Sequence, residues 1–172
     1  DISGDNTIIF AANPIATGQK FNSDTGSKTY NYEAGTGYGE SAGSTTVVAN
    51  HYGASDLRVA LQRMLENESG NAVETYFTTA EQGLMNATTV TTKDTKIDNT
   101  YTTTDKLYAL QGNYRNNQYL WAGTSDSTVL AMNSYWSIGD AFWLRSPFSI
   151  NSSLALLASP GKSVGYKDVP LG

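Results

Sequence analysis

The sequence contains no cysteine and only one histidine, His51, and these two shortages remove several classes of chemistry. Without cysteine, the chain can form no disulfide, thiolate metal site or cysteine nucleophile. A zinc site would have one histidine and otherwise only carboxylates, which is not a usual ligand set. A serine–histidine–acid triad would have to use His51, for which we identify no accompanying nucleophile elbow. We therefore predict neither zinc nor catalysis by histidine.

Charged residues and long apolar runs are also scarce. Charged residues make up 16% of the chain, against about 25% in an average globular protein. The net charge is -5, and the 11 lysines and arginines form no basic stripe, so nucleic acid is excluded as a partner. No apolar run approaches the roughly 20 residues that span a bilayer. The segment Asp1–Gly4 also lacks the basic region and apolar core of a signal peptide, and we predict no membrane insertion.

The chain is rich in Thr, Asn, Ser and Tyr, and it is acidic. This composition, without cysteine, is expected of a bacterial protein that is secreted or displayed on the cell surface. A length of 172 residues suffices for one domain around one core. We predict a single domain over 1–172, with a loop-rich β part at 1–46 followed by a second part at 50–172.

Two helices are predicted in the middle of the chain. The first has Ser55 as its N-cap and ends at Ser69-Gly70. Its apolar stripe has a 3.6-residue period and consists of Leu57, Ala60, Leu61, Met64 and Leu65. The second helix is shorter and follows from the capping-box spacing of Thr79 and Gln82. It is predicted to end near Met85 or Asn86.

Short strands account for most of the remaining regular structure. Apolar and β-branched runs suit a pleated surface, and they predict strands at Thr7–Ala12, Thr45–Ala49, Lys106–Leu110 and Phe142–Leu144. A turn at Pro160-Gly161 predicts a hairpin between Leu154–Ala158 and Val164–Tyr166. Residues 17–44 are predicted to be mainly loop, with one hairpin as an alternative, and residues 88–104 an exposed loop or edge. The pattern indicates an α+β fold with a mostly antiparallel sheet.

Hard oxygen ligands of the kind that calcium takes occur at two places, Asp94–Asn99 and Asp126 near Asn133. Neither segment reproduces the D-x-[DN]-x-[DN]-G loop with its distal glutamate. Asp and Asn also favour turns through bonds to their own backbone. No cofactor or metal is therefore predicted, and calcium stays an open alternative.

Aromatic residues concentrate between Tyr114 and Trp136, interleaved with amides and carboxylates. Such flat rings beside fixed polar groups are typical of sugar or peptide recognition, although core packing is the alternative. The candidate ligand-binding residues are Tyr114, Tyr119, Trp121, Asp126, Asn133, Tyr135 and Trp136.

A second aromatic tract, Phe142–Pro147, reads F-W-L-R-S-P. It resembles the W-W-L-R-S-P signature of a family of uncharacterised extracellular domains of Gram-positive surface proteins. Three further segments are similar to family elements in the same order, an S-x-L-R helix, an F-T-x-x-E element and a T-x-D-K-[IL]-[FY]-x-L strand; they are Ser55–Arg58, Phe77–Glu81 and Thr103–Leu110. The late hairpin also matches. The resemblance covers about residues 50–172, whereas residues 1–46 match nothing in the family pattern.

The family pattern is similar to C-type-lectin-like and formylglycine-generating-enzyme-like folds. The resemblance implies two helices packed on a twisted, mostly antiparallel sheet, with Phe142, Trp143 and Arg145 as structural residues. The oxidase activity of formylglycine-generating enzymes depends on cysteines, so that activity is excluded here. Lectin-like folds serve widely as binding scaffolds, but fold alone does not establish sugar binding.

Three functions follow as hypotheses. The first is a non-enzymatic ligand-binding or adhesion module at the bacterial cell surface, which contacts a glycan or a host or surface protein. The second is a structural or assembly domain of a surface protein, in which the aromatic residues form core. The third is a hydrolase that acts on polysaccharide through paired carboxylates, with unranked candidates at Glu33, Glu40, Glu74 and Glu81.

Overall fold

The computed structural model describes the chain in ten segments and one single residue. These are residues 2–3, 6–7, 9, 15–32, 43–65, 76–94, 99–115, 118–121, 142–148, 153–159 and 163–170. Within strands, the structure describes some of these residues by their backbone alone.

Eleven strands and two α-helices lie within the described residues. The helices are α1 (Asp56–Arg63) and α2 (Thr79–Leu84), and a 3-10 turn at Tyr52–Ala54 precedes α1. The strands are β1 (Ile2–Ser3), β2 (Asn6–Thr7), β3 (Lys28–Tyr32), β4 (Gly43–Val47), β5 (Thr88–Asp94), β6 (Asn99–Asp105), β7 (Gly112–Arg115), β8 (Gln118–Trp121), β9 (Phe142–Pro147), β10 (Leu154–Ser159) and β11 (Ser163–Asp168).

Every described strand pair is antiparallel and joins strands that follow one another in the sequence. The pairs are β1–β2, β3–β4, β5–β6 and β7–β8, and β10 lies between β9 and β11 in a three-stranded sheet. The pairing of β9 with β10 shifts register between Ala155 and Leu157, as a β-bulge does. The α+β class with antiparallel sheets and two helices is therefore confirmed. The antiparallel pairing of the two late strands and the strand at Phe142 are also confirmed, while the predicted turn at Pro160-Gly161 lies outside the described residues.

Helix α1 begins where the sequence predicts and ends earlier. The Ser55 side chain accepts a 3.0 Å hydrogen bond from the Arg58 N–H, which satisfies one of the free donors of the first turn. Leu57 and Leu61 are buried on the predicted stripe. The helix ends at Arg63 with Met64 as its C-cap, and the predicted stop at Ser69-Gly70 lies outside the described residues.

Helix α2 has its capping box one residue earlier than predicted. Thr78 is the N-cap, and Glu81 rather than Gln82 occupies the third helical position. The Glu81 carboxylate accepts a 2.7 Å bond from the Thr78 N–H. No residue of α2 is buried, so the helix depends on its cap more than on packing.

Residues 88–104 were predicted to be an exposed loop or edge, but the described residues 88–94 and 99–105 form a two-stranded antiparallel sheet in which β5 and β6 pair over seven positions. Buried residues alternate along its strands, as a pleated sheet requires; they are Val90, Thr92, Tyr101 and Thr103. The loop alternative was wrong because it counted threonine as polar, whereas the edge alternative holds, since both strands of a two-stranded sheet are edge strands. The β-branched threonine side chain fits a half-buried strand.

The predicted strand at Lys106–Leu110 is also wrong, since this segment has no strand structure. Its carbonyl groups accept bonds from side chains and from one backbone amide instead of from a neighbouring ladder. The Leu107 carbonyl accepts from the Gln62 side chain at 2.8 Å, and the Leu110 carbonyl accepts from the Arg145 N–H at 2.8 Å.

The principal core combines residues from early and late in the chain. Its buried members are Phe21, Ala49, Tyr52, Leu57, Leu61, Met64, Tyr101, Ala155 and Val169. The backbone of Asn22 adds a 3.0 Å hydrogen bond from its N–H to the Val169 carbonyl. The segment around Phe21 and Asn22, within the predicted N-terminal part, is therefore packed into the same core as the rest.

Candidate functional site

The predicted binding segment begins on the β7–β8 hairpin. Tyr114 lies opposite Tyr119, and Trp121 lies opposite Gly112 in the backbone register. Strand β8 lies beside β11, and β7 lies beside β9 and β10. The side chains of Tyr114, Tyr119 and Trp121 are outside the described residues, as are the whole of Asp126, Asn133, Tyr135 and Trp136. The start of the segment is thus placed against the three-stranded sheet.

Arg145 of β9 fixes the segment that leads into this hairpin. Its Nη1 donates to the Ala109 carbonyl at 2.7 Å, and its Nη2 donates to the Gln111 side chain at 3.0 Å. Nη2 and Nε also donate to the Thr91 carbonyl of β5, at 3.0 and 3.3 Å. The guanidinium carbon lies 5.8 Å from the centre of the Tyr108 ring, within cation–π range. Arg145 therefore joins β9, β5 and the residues immediately before β7.

The environment of Arg145 is largely closed to solvent. Burial lowers the pKa of its guanidinium, against the opposing influence of Tyr52, Tyr108, Tyr101 and Asp105. An arginine stays protonated under these conditions. Its donors contact backbone carbonyls and an amide, so its charge is held in place by hydrogen bonds within the fold.

Trp143 and Phe142 also lie on β9. The Trp143 Nε1–H donates to the Gln19 carbonyl at 2.8 Å, and the indole meets the Phe21 ring edge-on at 5.7 Å. Trp143 packs against the principal core, whereas Phe142 is half-buried and pairs with Ala158 across the sheet. Trp143 therefore connects the late sheet with the segment before β3.

A buried ion pair ties α1 to β6. Arg58 Nε donates to Asp105 Oδ1 at 2.9 Å, and its Nη1 donates to the Gly53 carbonyl at 3.0 Å. The second carboxylate oxygen of Asp105 accepts a 2.6 Å bond from the Thr103 hydroxyl. Asp105 is 1% exposed, and these hydrogen bonds satisfy both of its buried carboxylate oxygens.

His51 is enclosed by aromatic rings. It is 2% exposed, stacks on Tyr101 at 3.9 Å and lies 4.7 Å from the Tyr30 ring. Burial and the charge of Arg58 lower its pKa to about 4, against a backbone hydrogen bond that favours the charged form. The imidazole is therefore neutral at neutral pH, and it is shielded from solvent.

G-x-S-x-G patterns occur at residues 39–43 and 161–165, and neither was identified from the sequence; Ser41 of the first lies outside the described residues. A nucleophile elbow places its serine on a sharp turn between a strand and a helix. Ser163 instead begins strand β11 of a hairpin and pairs with Ser159. The pattern at residues 161–165 therefore does not form an elbow.

A lysine, an asparagine and an aspartate meet beside the start of α1, and sequence reasoning assigned them no role. Lys28 Nζ lies 2.5 Å from Asp56 Oδ1 and 2.6 Å from Asn22 Oδ1. Asn22 is completely buried, and its side-chain amide donates to the Ala49 carbonyl. Partial burial raises the pKa of Asp56, but bonds from Lys28 and Ser23 outweigh it and lower the pKa. The aspartate is therefore ionised at neutral pH.

Within the residues that the structure describes, no three acidic or histidine side chains form a group that could hold a metal ion. Of the two segments with calcium-type ligands, one lies partly and the other wholly outside the described residues. Residues 95–98, Asp126 and Asn133 are outside the described residues, and Asp94 is described only by its backbone at the end of β5. In the same described part of the chain, no helix has the length and apolar character to cross a membrane.

Comparison of the chain with protein-family models, with characterised proteins and with solved structures finds no match.

Proposed function

We propose that the chain is a non-enzymatic ligand-binding or adhesion module of a bacterial cell-surface or secreted protein. The proposal includes a C-type-lectin-like arrangement of its helices and antiparallel strands, and an extracellular location. The main support is the polar-aromatic segment from Tyr114 to Trp136, in a chain whose composition is typical of surface proteins. Its partner would be a glycan or a host or surface protein.

The position of the segment supports a role in recognition. Binding residues are commonly carried by loops on a rigid scaffold. Here the segment begins on a hairpin beside the three-stranded sheet, and Arg145 holds the preceding residues Ala109 and Gln111 in place. Aromatic rings presented from such a base would bury the apolar face of a sugar or a peptide, while neighbouring amides bond its polar groups.

The proposed site is tested by glycan-array and host-protein binding of the Trp121→Ala and Tyr135→Ala variants. Both are expected to lose binding while keeping the melting temperature of the unmodified chain. Tyr76→Ala is the matched control, because Tyr76 is 41% exposed and lies outside the segment. Retention of binding by both site variants would overturn the site, and absence of any binding by the unmodified chain would overturn the function.

A structural or assembly domain is the second candidate. It is favoured by the internal hydrogen bonds of Arg58, Asp105 and Arg145, which make these charged groups part of the scaffold. Under this alternative the aromatic residues are core. Truncation of Trp121 or Trp136 would then cost about 3–5 kcal/mol of stability, as large aromatic deletions in cores do.

A further inference from the structure

The cluster of Lys28, Asn22 and Asp56 brings together an amine, a carboxamide and a carboxylate from three parts of the fold. Asn22 precedes β3, Lys28 is the first residue of β3, and Asp56 is the first residue of α1. Lys28 Nζ contacts both Asn22 Oδ1 at 2.6 Å and Asp56 Oδ1 at 2.5 Å. A carbonyl bond measures about 1.23 Å, so Asn22 Cγ lies within about 3.8 Å of Nζ.

We propose that Lys28 and Asn22 form an intramolecular isopeptide bond, with Asp56 as the base. Nζ attacks Cγ, the Nζ–Cγ bond forms and the Cγ–Nδ2 bond breaks. The lysine ammonium gives up two protons. One passes through Asp56 to Nδ2, which leaves as ammonia, and the other goes to solvent. No atom changes oxidation state, and the step needs no cofactor or further reactant.

The carboxamide of Asn22 is polarised for attack. Its Oδ1 accepts a 2.9 Å hydrogen bond from the Asp56 N–H in addition to the bond from Lys28. The backbone donor stays in place when Nζ moves to Cγ, so it stabilises the negative charge that develops on Oδ1. The leaving nitrogen Nδ2 is held by the Ala49 carbonyl. Each atom of the carboxamide therefore has a defined place in the reaction.

The base is also held in position. Asp56 Oδ2 accepts a 2.7 Å bond from the Ser23 N–H, which leaves Oδ1 directed at Lys28. Base and nucleophile are within direct proton-transfer distance. The amine and the carbonyl carbon are brought close by the fold rather than by diffusion, which is the main source of acceleration in intramolecular reactions. Because Asn22 is completely buried, water is kept from competing for Cγ.

The bond would close a short loop between two residues six positions apart, beside contacts that hold this part of the chain in the core. The Asn22 N–H bonds to the Val169 carbonyl, and the Phe21 carbonyl accepts from the Leu57 N–H. Lys28 begins the β3–β4 pair. In a chain without cysteine, an isopeptide bond supplies the covalent cross-link that a disulfide cannot.

Intact-mass spectrometry of the purified folded chain tests the proposal. The unmodified protein is expected to be lighter than its sequence by the mass of one ammonia molecule. Lys28→Met and Asp56→Asn are expected to have their full sequence masses. Lys20→Met is the matched control, since Lys20 is an exposed lysine nearby, and it is expected to keep the deficit. A full sequence mass for the unmodified chain after prolonged incubation at neutral pH overturns the proposal, whatever the variants show.

Peptide mapping distinguishes the isopeptide bond from a succinimide at Asn22-Ser23, which also releases ammonia. Cleavage on the N-terminal side of Asp24 separates Asn22 from Lys28 in sequence. With an isopeptide bond, the two resulting peptides stay joined, and trypsin fails to cut after Lys28. A deficit that persists in Lys28→Met, or peptides that separate, overturns the proposal in favour of the succinimide.

Discussion

A histidine ring that stacks on Tyr101 and faces Tyr30 has almost no contact with water. The charged imidazolium is disfavoured there, and the pKa of His51 is lowered to about 4. The unfolded chain exposes the same ring at its ordinary value of 6.5. Between about pH 4 and pH 6.5, His51 therefore binds a proton in the unfolded chain but not in the folded one.

Acidification is expected to destabilise the fold through His51. Its contribution to stability is complete above pH 6.5 and is lost as the pH falls from 6.5 towards 4. At about 1.4 kcal/mol per pKa unit, the loss reaches about 3 kcal/mol. Urea unfolding midpoints at pH 7.5, 6, 5 and 4 measure this loss.

The His51→Phe variant keeps a flat ring against Tyr101 and removes the titration, so its stability should vary less across this range. The pKa values of Asp56 and Glu81 are also lowered. Such carboxylates stabilise the fold at pH values above their pKa in the unfolded chain. This stabilisation is lost as the pH falls through their lower pKa in the folded chain. An equal loss between pH 6.5 and 4.5 in His51→Phe would show that His51 is not responsible.

Residue identity alone predicted few of the side-chain contacts at the candidate sites. The apolar density around Trp143 indicated a strand, but not its bond to the Gln19 carbonyl. No sequence motif connects Lys28, Asn22 and Asp56, because they come together only where the start of α1 lies beside the start of β3. The acceptors of Arg145 lie on β5 and in residues 109–111. Only the three-dimensional arrangement brings them together.

The 3-10 turn at Tyr52–Ala54 packs against β3 at Gly53. A side-chain carbon at Gly53 would lie 2.6 Å from Tyr30 Cε2 and 2.8 Å from His51 Cε1. Both rings are buried, so they have little room to move. The close packing of this 3-10 turn against β3 therefore requires glycine at position 53.

Gly53→Ala is expected to destabilise the protein by about 1–3 kcal/mol, the usual cost of overpacking. Thermal or urea unfolding measures the effect. Gly83→Ala in α2 is the control, because a side-chain carbon there has no atom within 4 Å and alanine favours the helix. Equal stability of Gly53→Ala and the unmodified chain would contradict the close packing at this turn.

Elements with strong local signals were predicted well, and elements defined by tertiary contacts were not. Ser55 and the leucines of α1 identify that helix through its cap and its periodicity. The threonines of β5 and β6 carry no apolar alternation, so only their pairing shows that Thr92 and Thr103 are buried. The residue pattern of Lys106–Leu110 predicts a strand. However, carbonyl groups of this segment accept hydrogen bonds from side chains of α1 and β9.

Stability across the whole molecule is expected to depend on β9 more than on α2. Leu144→Ala removes a side chain that is fully buried, and it should cost about 2–5 kcal/mol. Leu84→Ala provides a matched leucine control, because Leu84 is 83% exposed; it should change stability by less than about 0.5 kcal/mol. Urea unfolding compares the stability of the two variants. Similar losses of stability for both would show that the burial of Leu144 does not stabilise the fold.

The early part of the chain shows the limit of prediction at this scale. Residues 17–44 were predicted to be mainly loop, with one hairpin as an alternative, yet Phe21 is completely buried and packs with Trp143. Local composition carries no information about partners that are far along the sequence. The antiparallel α+β class follows from local pattern, whereas the membership of the core does not.

The bonds that join Trp143 to Gln19 and Asn50 to Leu154 connect residues 124 and 104 positions apart. During synthesis, the segment around Gln19 and Asn50 leaves the ribosome well before these partners exist. Closure of such long loops slows folding. The packing of Phe21 against Trp143 therefore cannot form until most of the chain has been synthesised.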